Sequence, residues 1–437
     1  MRRKLARTAA VGAAVAAGLG AATPALAAPV PTVQVRCSTN ALSTAITNAV
    51  SGDVLRLASS CTYVLDSALP DVATTLTLQG GTATTIERSY ASGTPDFSVL
   101  TVGVGGNLTV TNVNFKNGYA VDYGGAINAE DGPLSITGGT FSGNYAGEYG
   151  GAIYDEDGFT VQNATFSGNS AADYGGAIEN EDTAAITGST FSGNSSEYAG
   201  ALEDDADTTV SNSTFTSNSA SSEGGAIYDE DGTTTVNKGT FTKNSAEYGG
   251  AIYEDDADNL VVNTGYFQQN TASEYGGGIV AYEPMTLNNT TFTHNYGAEY
   301  GGGIYAEGDA VTINGITLSH NSAEYGGGLY NYYDLTLTGG SFSNNTAEYG
   351  GGMYNEWDAT VNDTTFQQNS ATYGGGGLYQ DGHYTDLNGS QVEYNHAPAG
   401  DGGGIYNDGT VNLTNTLVRF NTANNCSPAL SVPGCTG

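Results

Sequence analysis

One motif recurs along most of this chain at intervals of about 25 residues, and it constrains the fold more than any other feature. In the copy at residues 241–253 the sequence reads F-T-K-N-S-A-E-Y-G-G-A-I-Y. A unit this short cannot bury its own apolar side chains, but copies stacked on one another can, with like residues above like residues. The position that begins each copy occurs thirteen times, every 24 to 26 residues, as Phe115, Phe141, Phe166, Phe191, Phe215, Phe241, Phe267, Phe292, Leu318, Phe342, Phe366, Val392 and Val418.

The other columns of the repeat predict β-structure. Strand-forming residues precede the aromatic position and a double glycine follows it, so each copy contains two or three short strands separated by turns. Helix signals are absent after residue 27. We therefore predict an all-β solenoid, a parallel β-helix with coils of ~25 residues stacked ~4.8 Å apart. Three residues after the aromatic position stands an asparagine, at Asn144, Asn169, Asn194, Asn218, Asn244, Asn270, Asn295, Asn321, Asn345, Asn369, Asn395 and Asn421.

The three most regular columns have structural explanations. Phenylalanines stacked along the interior gain aromatic contacts in addition to burial. A buried asparagine needs hydrogen-bond partners, which the asparagines of neighbouring coils can supply, and asparagine also tolerates a left-handed backbone. The double glycine permits positive φ and close approach between coils. None of these columns calls for a catalytic explanation.

The tyrosine that ends each copy is a candidate binding surface. Alternation along a strand places Ile252 inside the coil and Glu247 and Tyr253 outside, whereas Tyr248 can face either way. Exposed tyrosines favour interfaces and sugar rings, although stacked tyrosines can also simply stabilise one face of a sheet. The candidate binding tyrosines are Tyr154, Tyr228, Tyr253, Tyr305, Tyr330 and Tyr354.

Acidic residues cluster just after the double-glycine segment and would form ladders of like charge in a stacked solenoid. Two unit charges ~5 Å apart repel by about 1 kcal/mol in water, and hard cations such as Ca²⁺ bind several carboxylate oxygens. The sequence therefore leaves two interpretations, a solvated acidic face and a Ca²⁺ site, and it lacks the Asp-Gly nonapeptide of calcium-binding rolls. The candidate metal ligands are Asp155, Asp157, Asp182, Asp204, Asp205, Asp229, Asp231 and Asp255.

The N-terminus predicts export. A basic start, Arg2-Arg3-Lys4, precedes an apolar run to Gly20 and an A-x-A site at residues 25–27. This pattern is typical of a secretory signal peptide, here residues 1–27, so we expect a secreted, extracellular protein. No later stretch is apolar enough over ~18 residues to predict a membrane span.

The four cysteines fall into two local groups at the ends of the repeat region. An even number of cysteines in an exported chain predicts disulfides, and pairs within Cys37 and Cys61 and within Cys426 and Cys435 would suit end caps. The pairing itself does not follow from the sequence. We predict an N-terminal cap with irregular first coils at residues 28–98, a repetitive β-helix at residues 99–423, and a C-terminal cap at residues 424–437.

The charge restricts the choice of partner. Without the first 27 residues the chain keeps seven basic residues against 46 acidic ones, a formal charge of −39. Binding to nucleic acid or to an anionic membrane requires neutralising lysines and arginines, so both partners are excluded. Cations, basic partners and cell-surface or glycan ligands remain.

An enzyme is an alternative, because paired carboxylates can hydrolyse glycosidic bonds. The repeat offers so many acids that no pair stands out, and basic residues suited to a lyase lie at no break in the repeat. Only residues 379–401 look irregular, and there Gly382-His383 is a faint echo of a pectin-hydrolase motif. We therefore assign no catalytic residue and favour binding over catalysis.

The motifs also carry a resemblance. Gly124-Gly125-Ala126-Ile127 through Gly403-Gly404-Ile405, paired with Asn144 through Asn421, resemble the repeats of chlamydial polymorphic outer-membrane proteins. They are also similar to secreted β-helix proteins of high-GC Gram-positive bacteria with the pectin-lyase-like fold. The resemblance implies a right-handed helix and surface adhesion. It makes an adhesin-like or scaffold rod the leading hypothesis, with a polysaccharide lyase or hydrolase and a calcium-binding rod as alternatives.

Overall fold

The chain folds into a right-handed parallel β-helix of about 16 turns, which confirms the predicted fold class. The computed structural model describes residues 32–256, 258–398 and 400–435, so the predicted signal peptide lies outside the described residues. Neighbouring turns pair in register through parallel strands. For example, Phe141 is paired with Phe166 and Ile227 with Ile252. This register places equivalent residues of successive coils in straight columns.

Within the described residues, the first sheet contains 28 strands and carries two adjacent columns of each coil. Three long strands span both columns: Val311–Ser319, Leu335–Ser343 and Ala359–Gln367. The strands of the column that precedes the aromatic position are Thr32–Val35, Asp53–Leu57, Thr75–Gln79, Asn107–Thr111, Leu134–Thr137, Phe159–Gln162, Ala184–Thr187, Thr208–Ser211, Thr233–Asn237, Asn259–Asn263, Met285–Asn288, Tyr384–Asn388 and Thr410–Thr414. The strands of the aromatic column are Thr62–Leu65, Thr85–Arg88, Asn114–Lys116, Thr140–Ser142, Thr165–Ser167, Thr190–Ser192, Thr214–Thr216, Thr240–Thr242, Tyr266–Gln268, Thr291–Thr293, Gln391–Glu393 and Leu417–Arg419.

The second sheet has 14 strands and follows the double glycine of each coil. It carries the columns on which the candidate sites depend. Its strands are Leu100–Thr101, Ile127–Ala129, Ile153–Asp155, Ile178–Asn180, Leu202–Asp204, Ile227–Asp229, Ile252–Glu254, Ile279–Ala281, Ile304–Ala306, Leu329–Asn331, Met353–Asn355, Leu378–Gln380, Ile405–Asn407 and Cys426–Ser427.

The third sheet is the shortest in each coil and lies between the asparagine and the double glycine. Eight strands form one sheet and two more form a separate pair in the same column. They are Tyr119–Ala120, Tyr145–Ala146, Ser170–Ala171, Ser195–Tyr198, Ser219–Glu223, Ser245–Ala246, Thr271–Ala272 and Tyr296–Gly297, with Thr346–Tyr349 and Ser370–Gly374 as the pair.

Stacked phenylalanines fill the interior beside the aromatic column. The ring centroids of consecutive phenylalanines are 4.5 to 5.2 Å apart, which matches the strand spacing expected for stacked coils. Their side chains are fully buried, and Leu318 occupies the same column between Phe292 and Phe342. The predicted aromatic stack is therefore confirmed, with aliphatic side chains at Leu318, Val392 and Val418.

The asparagine column forms the predicted ladder of hydrogen bonds. Asn270 is representative: its backbone N–H and its Nδ2 both donate to Oδ1 of Asn295, each at 3.0 Å, and Nδ2 also donates to the Phe241 carbonyl at 3.0 Å. The left-handed backbone falls one position earlier than expected, since Gln269, not Asn270, has a positive φ of 55°. The asparagine side chains supply hydrogen bonds that hold the tight turn made by this preceding residue.

The N-terminal end contains an element that the sequence analysis missed. An α-helix spans Thr39–Thr47, and Leu42 and Ile46, one helical turn apart, are buried against the first strands. The prediction that helix signals end with residue 27 is wrong here, because a single pair of apolar residues in nine positions gives too little periodicity to recognise. The predicted local disulfides are confirmed as Cys37–Cys61 and Cys426–Cys435.

Candidate functional site

The tyrosines proposed as a binding surface are buried. The first residue of the double glycine takes a positive φ, 62° at Gly249, and the chain bends so that Tyr248 folds over Tyr253, with ring centroids 6.4 Å apart. The expectation that the second tyrosine points to solvent is therefore wrong, because the bend at the glycines lays Tyr248 over Tyr253. The exposed fraction is only 3 to 7% for Tyr154, Tyr228, Tyr253, Tyr305, Tyr330 and Tyr354.

We call this double layer the tyrosine wall. Its inner column contains the six buried tyrosines named above. Its outer column, packed against them and partly buried, contains Tyr174, Tyr198, Tyr248, Tyr275, Tyr300, Tyr325 and Tyr349.

The hydroxyls of the inner tyrosines meet carboxylates. Tyr154 Oη lies between two acids, 2.5 Å from Glu156 Oε1 and 2.7 Å from Glu181 Oε1. Tyr305 donates to Glu307 and Tyr354 to Asp381, both at 2.6 Å. Burial, reinforced by these carboxylates, raises the pKa of the tyrosines well above the ordinary value, so the hydroxyls stay protonated and donate. Tyr154, Tyr305 and Tyr354 thus each hold an acidic side chain at the edge of the wall.

A second departure concerns the acids at the third position of the second-sheet strands. Asp155, Asp204, Asp229 and Glu254 are completely buried, not solvated. The reason is strand parity: each lies two residues after an inward isoleucine or leucine and therefore points to the same interior side. Burial raises the pKa of Asp155 and Asp204 to about 7 and that of Glu254 to about 8.

Later coils place neutral amides in the same interior column. Asn331 Nδ2 donates to Asn355 Oδ1 at 2.7 Å, and Asn355 Nδ2 donates to Gln380 Oε1 at 2.9 Å. In the acidic coils Asp204 is the best-satisfied member, accepting from Asn180 Nδ2 at 2.6 Å and from Thr208 Oγ1 at 2.7 Å. The column is therefore polar in two regions, which Ala281 and Ala306 separate, and it is acidic only in the coils around residues 155–254.

The eight predicted metal ligands do not converge on one site. Asp155, Asp204 and Asp229 are buried, Asp205, Asp231 and Asp255 are half-buried, and Asp157 and Asp182 are exposed.

Among the described residues, one group of three acids has ligand atoms within 4.8 Å of one another: Glu203, Asp205 and Glu230. Only Asp205 was among the predicted ligands. The signal that would have revealed Glu203 is a glutamate at a position where most coils carry tyrosine.

A second candidate site lies on the first sheet near the C-terminal end. A groove of about 340 Å³ runs across three coils, and its walls include Asp309, Asp334 and Asp358. Its floor carries a row of aligned threonines, Thr312, Thr336 and Thr360.

Tyr384 closes one end of this groove, and the preceding residue, His383, belongs to an aromatic cluster. Tyr384 is 44% exposed, and its backbone N–H donates to Asp358 Oδ1 at 3.4 Å. His383 Nδ1 lies 3.3 Å from the same oxygen and its ring stacks on Trp357, the single tryptophan of the chain, which is 39% exposed. Tyr333 packs edge-on against Trp357. Of these residues, His383 and Tyr384 lie in the irregular stretch noted in the sequence, whereas Trp357 and Tyr333 belong to the two preceding coils.

Comparison with known families agrees with the architecture. The model of the right-handed β-helix region matches residues 98–265 and 150–310, and the repeat of Chlamydia polymorphic membrane proteins matches residues 363–381. No curated protein matches the chain. In the described part of the chain, none of the helices has the length and apolar character needed to cross a membrane.

Proposed function

We propose that this right-handed parallel β-helix repeat protein is an extracellular, adhesin-like rod that binds glycans in the groove closed by Tyr384. The observation that carries the proposal is the combination of an exposed aromatic cluster, a row of hydroxyls and three carboxylates on an otherwise regular solenoid. Sugar rings present apolar C–H faces to aromatic rings and hydroxyls to polar side chains, so this combination suits a carbohydrate better than an apolar ligand.

The negative charge of the groove limits which classes of glycan can bind there. Asp309, Asp334 and Asp358 line it, and the chain as a whole is strongly acidic. Uronic or sialic acids would be repelled, whereas neutral sugars can donate hydroxyl hydrogens to the carboxylates and amino sugars can add an ion pair. We therefore expect neutral or amino-sugar glycans as ligands and not the polyuronates that pectin-degrading β-helices would require.

An extracellular location is supported by several independent features. Residues 1–27 have the pattern of a secretory signal peptide, and two disulfides close the ends of the helix. The match of residues 363–381 to a repeat of polymorphic membrane proteins supports association with a cell surface. Detection of the protein on intact cells or in the medium, against a cytoplasmic marker, would test this part of the proposal.

The groove is tested by glycan binding with matched aromatic variants. Binding to an array of neutral, amino and acidic glycans identifies a ligand, whose affinity is then measured for Tyr384→Ala and Trp357→Ala. We expect each variant to lose about three- to tenfold in affinity, corresponding to one aromatic contact. Tyr266→Ala is the control, since Tyr266 is 38% exposed on the first sheet outside the groove.

Two outcomes would contradict the proposal. The first is equal affinity of the Tyr384→Ala variant and the unchanged protein. The second is a preference for acidic glycans over neutral ones, which the carboxylates of the groove do not permit.

A further inference from the structure

Two glutamates interrupt the inner column of the tyrosine wall. Along the second sheet the register runs from Tyr154 to Glu179, Glu203 and then Tyr228. Glu203 is completely buried, and neither oxygen of its carboxylate is hydrogen-bonded to a donor. An ionised carboxylate in such a place is strongly unfavourable unless a proton or a cation neutralises it.

A comparison with the coil of Tyr154 shows how the site changes when Glu203 takes the place of the tyrosine. There a phenol lies between the carboxylates of Glu156 and Glu181, one from its own coil and one from the next. Two coils later the equivalent positions are occupied by Glu203, Asp205 and Glu230. The O–H that would join the two outer acids is replaced by a third acid, so the site has gained a negative charge and lost its hydrogen-bond donor.

The geometry of the three acids fits a shared cation. Their ligand oxygens lie within 4.8 Å of one another. Oxygens that bind one Ca²⁺ at about 2.4 Å are at most ~4.8 Å apart, so the separation is compatible with a common ion. Glu203 is buried whereas Asp205 and Glu230 are half-buried, which leaves a side open to solvent for ion entry and for water ligands.

We propose that Glu203, Asp205 and Glu230 bind a hard divalent cation of the Ca²⁺ class between two adjacent coils. Carboxylate oxygens are the ligands such cations prefer, and three of them supply enough charge for a specific site. Glu203 reaches the ion from inside the wall, and the other two acids reach it from the edge. The site lies far along the sequence from the glycan groove and does not depend on it.

A proton competes with the cation for Glu203. Burial, followed by repulsion from Glu179 and Asp205, raises the pKa of Glu203 well above its ordinary value. Glu223, an acid that occupies the outer tyrosine column next to Tyr248, also has its pKa raised to about 7, chiefly by burial and by nearby acids. Cation binding therefore displaces the proton of Glu203, because the bound form requires the ionised acid.

Terbium luminescence tests the site directly, since Tb³⁺ replaces Ca²⁺ at oxygen sites and is excited by a nearby tyrosine. Tyr228 is the neighbour of Glu203 on the next coil and can serve as the antenna. At pH 8 we expect saturable luminescence that Ca²⁺ displaces. Glu203→Gln and Glu230→Gln are expected to lower the affinity at least about tenfold. Glu348→Gln, which removes an exposed acid from a distant coil, is the control and should leave the affinity unchanged.

A thermal melt separates loss of the site from loss of the fold. In EDTA the Glu203→Gln variant should unfold at a temperature at least as high as the unchanged protein, because it removes a buried carboxylate without a donor. In Ca²⁺, compared with Na⁺ at equal ionic strength, only the unchanged protein and Glu348→Gln should gain stability. Equal Tb³⁺ affinity in Glu203→Gln, or no saturable Tb³⁺ or Ca²⁺ effect on the unchanged protein at pH 8, would overturn the proposal and leave a shared proton as the neutralising group.

Discussion

Replacing Asn270 by alanine is expected to destabilise the β-helix much more than the same change at Asn263, in the same coil. The Asn270 side chain donates to the Phe241 carbonyl and to Asn295 Oδ1, and its Oδ1 accepts from both the backbone N–H and the Nδ2 of Asn244. Alanine abolishes all four bonds inside a region from which water is excluded.

The expected loss of stability follows from the buried polar groups that Asn270→Ala leaves without a hydrogen-bond partner. The Asn244 N–H, one hydrogen of its amide and the Phe241 carbonyl lose a partner, each at a cost of about 1–3 kcal/mol when buried. Because the losses overlap, we expect about 3–6 kcal/mol in total. Asn263 belongs to a half-buried ladder, donating to Asn237 and accepting from Asn288 at 2.9–3.0 Å. Water can replace those two bonds, so the cost there is about 0.5–1 kcal/mol.

Hydrogen exchange is the appropriate measurement, because a long stacked array need not unfold in a single step. The amide of Asn244 donates to Asn270 Oδ1 at 2.9 Å and should lose its protection in Asn270→Ala, while remaining protected in Asn263→Ala. The urea midpoint of each variant gives the accompanying change in stability. Equal destabilisation by the two substitutions, or retained protection at Asn244 in Asn270→Ala, would refute the assignment of the ladder as a main stabilising element.

Three further predictions concern the turn, the core and the buried acids. Gln269→Gly should stabilise the protein by about 0.5–1 kcal/mol, because Gln269 has a φ of 55° and glycine adopts this conformation without strain. Gln268→Gly, in the adjoining strand, should destabilise the protein. Urea midpoints measure both changes, and the opposite order would contradict the turn assignment. Phe241→Leu should lower the free energy of unfolding by less than the ~3–5 kcal/mol expected for Phe241→Ala, since Leu318 already fits this column. Equal losses of stability in the same unfolding assay would contradict this prediction. In EDTA, stability should fall as the pH rises from about 4 to 8, because the buried acids of the second sheet hold protons in the folded state that they release when unfolded. Glu254→Gln removes a group with a pKa of about 8 and should therefore flatten the plot of melting temperature against pH. An unchanged plot would show that Glu254 is not the titrating group.

The repeat was sufficient to predict the fold because it fixes contacts that recur in every coil. Phe241 above Phe215 and Asn270 above Asn244 follow from a spacing of 26 residues once stacking is assumed, and the structure places both pairs in this way. The short N-terminal helix did not repeat, so no second copy reinforced its weak apolar pattern. Regularity made the fold predictable and left this helix undetected.

The candidate sites were less predictable because they depend on where the chain bends. Parity along one strand is a local property, and it correctly separates Ile252 from Tyr253. The bend at Gly249, however, covers Tyr253 with Tyr248 and turns an expected outer surface into a second packed layer. Glu203 is likewise buried at a position where parity predicts exposure, which acidic composition alone does not reveal.

In-register stacking also makes the coil the unit by which this protein can change its length. The phenylalanine stack and the asparagine ladder each continue if one whole coil is inserted or removed, whereas a change of one residue within a strand moves the following side chains of that strand to the opposite face. The groove closed by Tyr384 occupies a few coils near one end and the acidic cluster two coils nearer the middle. Duplication or loss of the coils between them would therefore alter the distance between the two sites, in steps of one strand spacing, without altering either site.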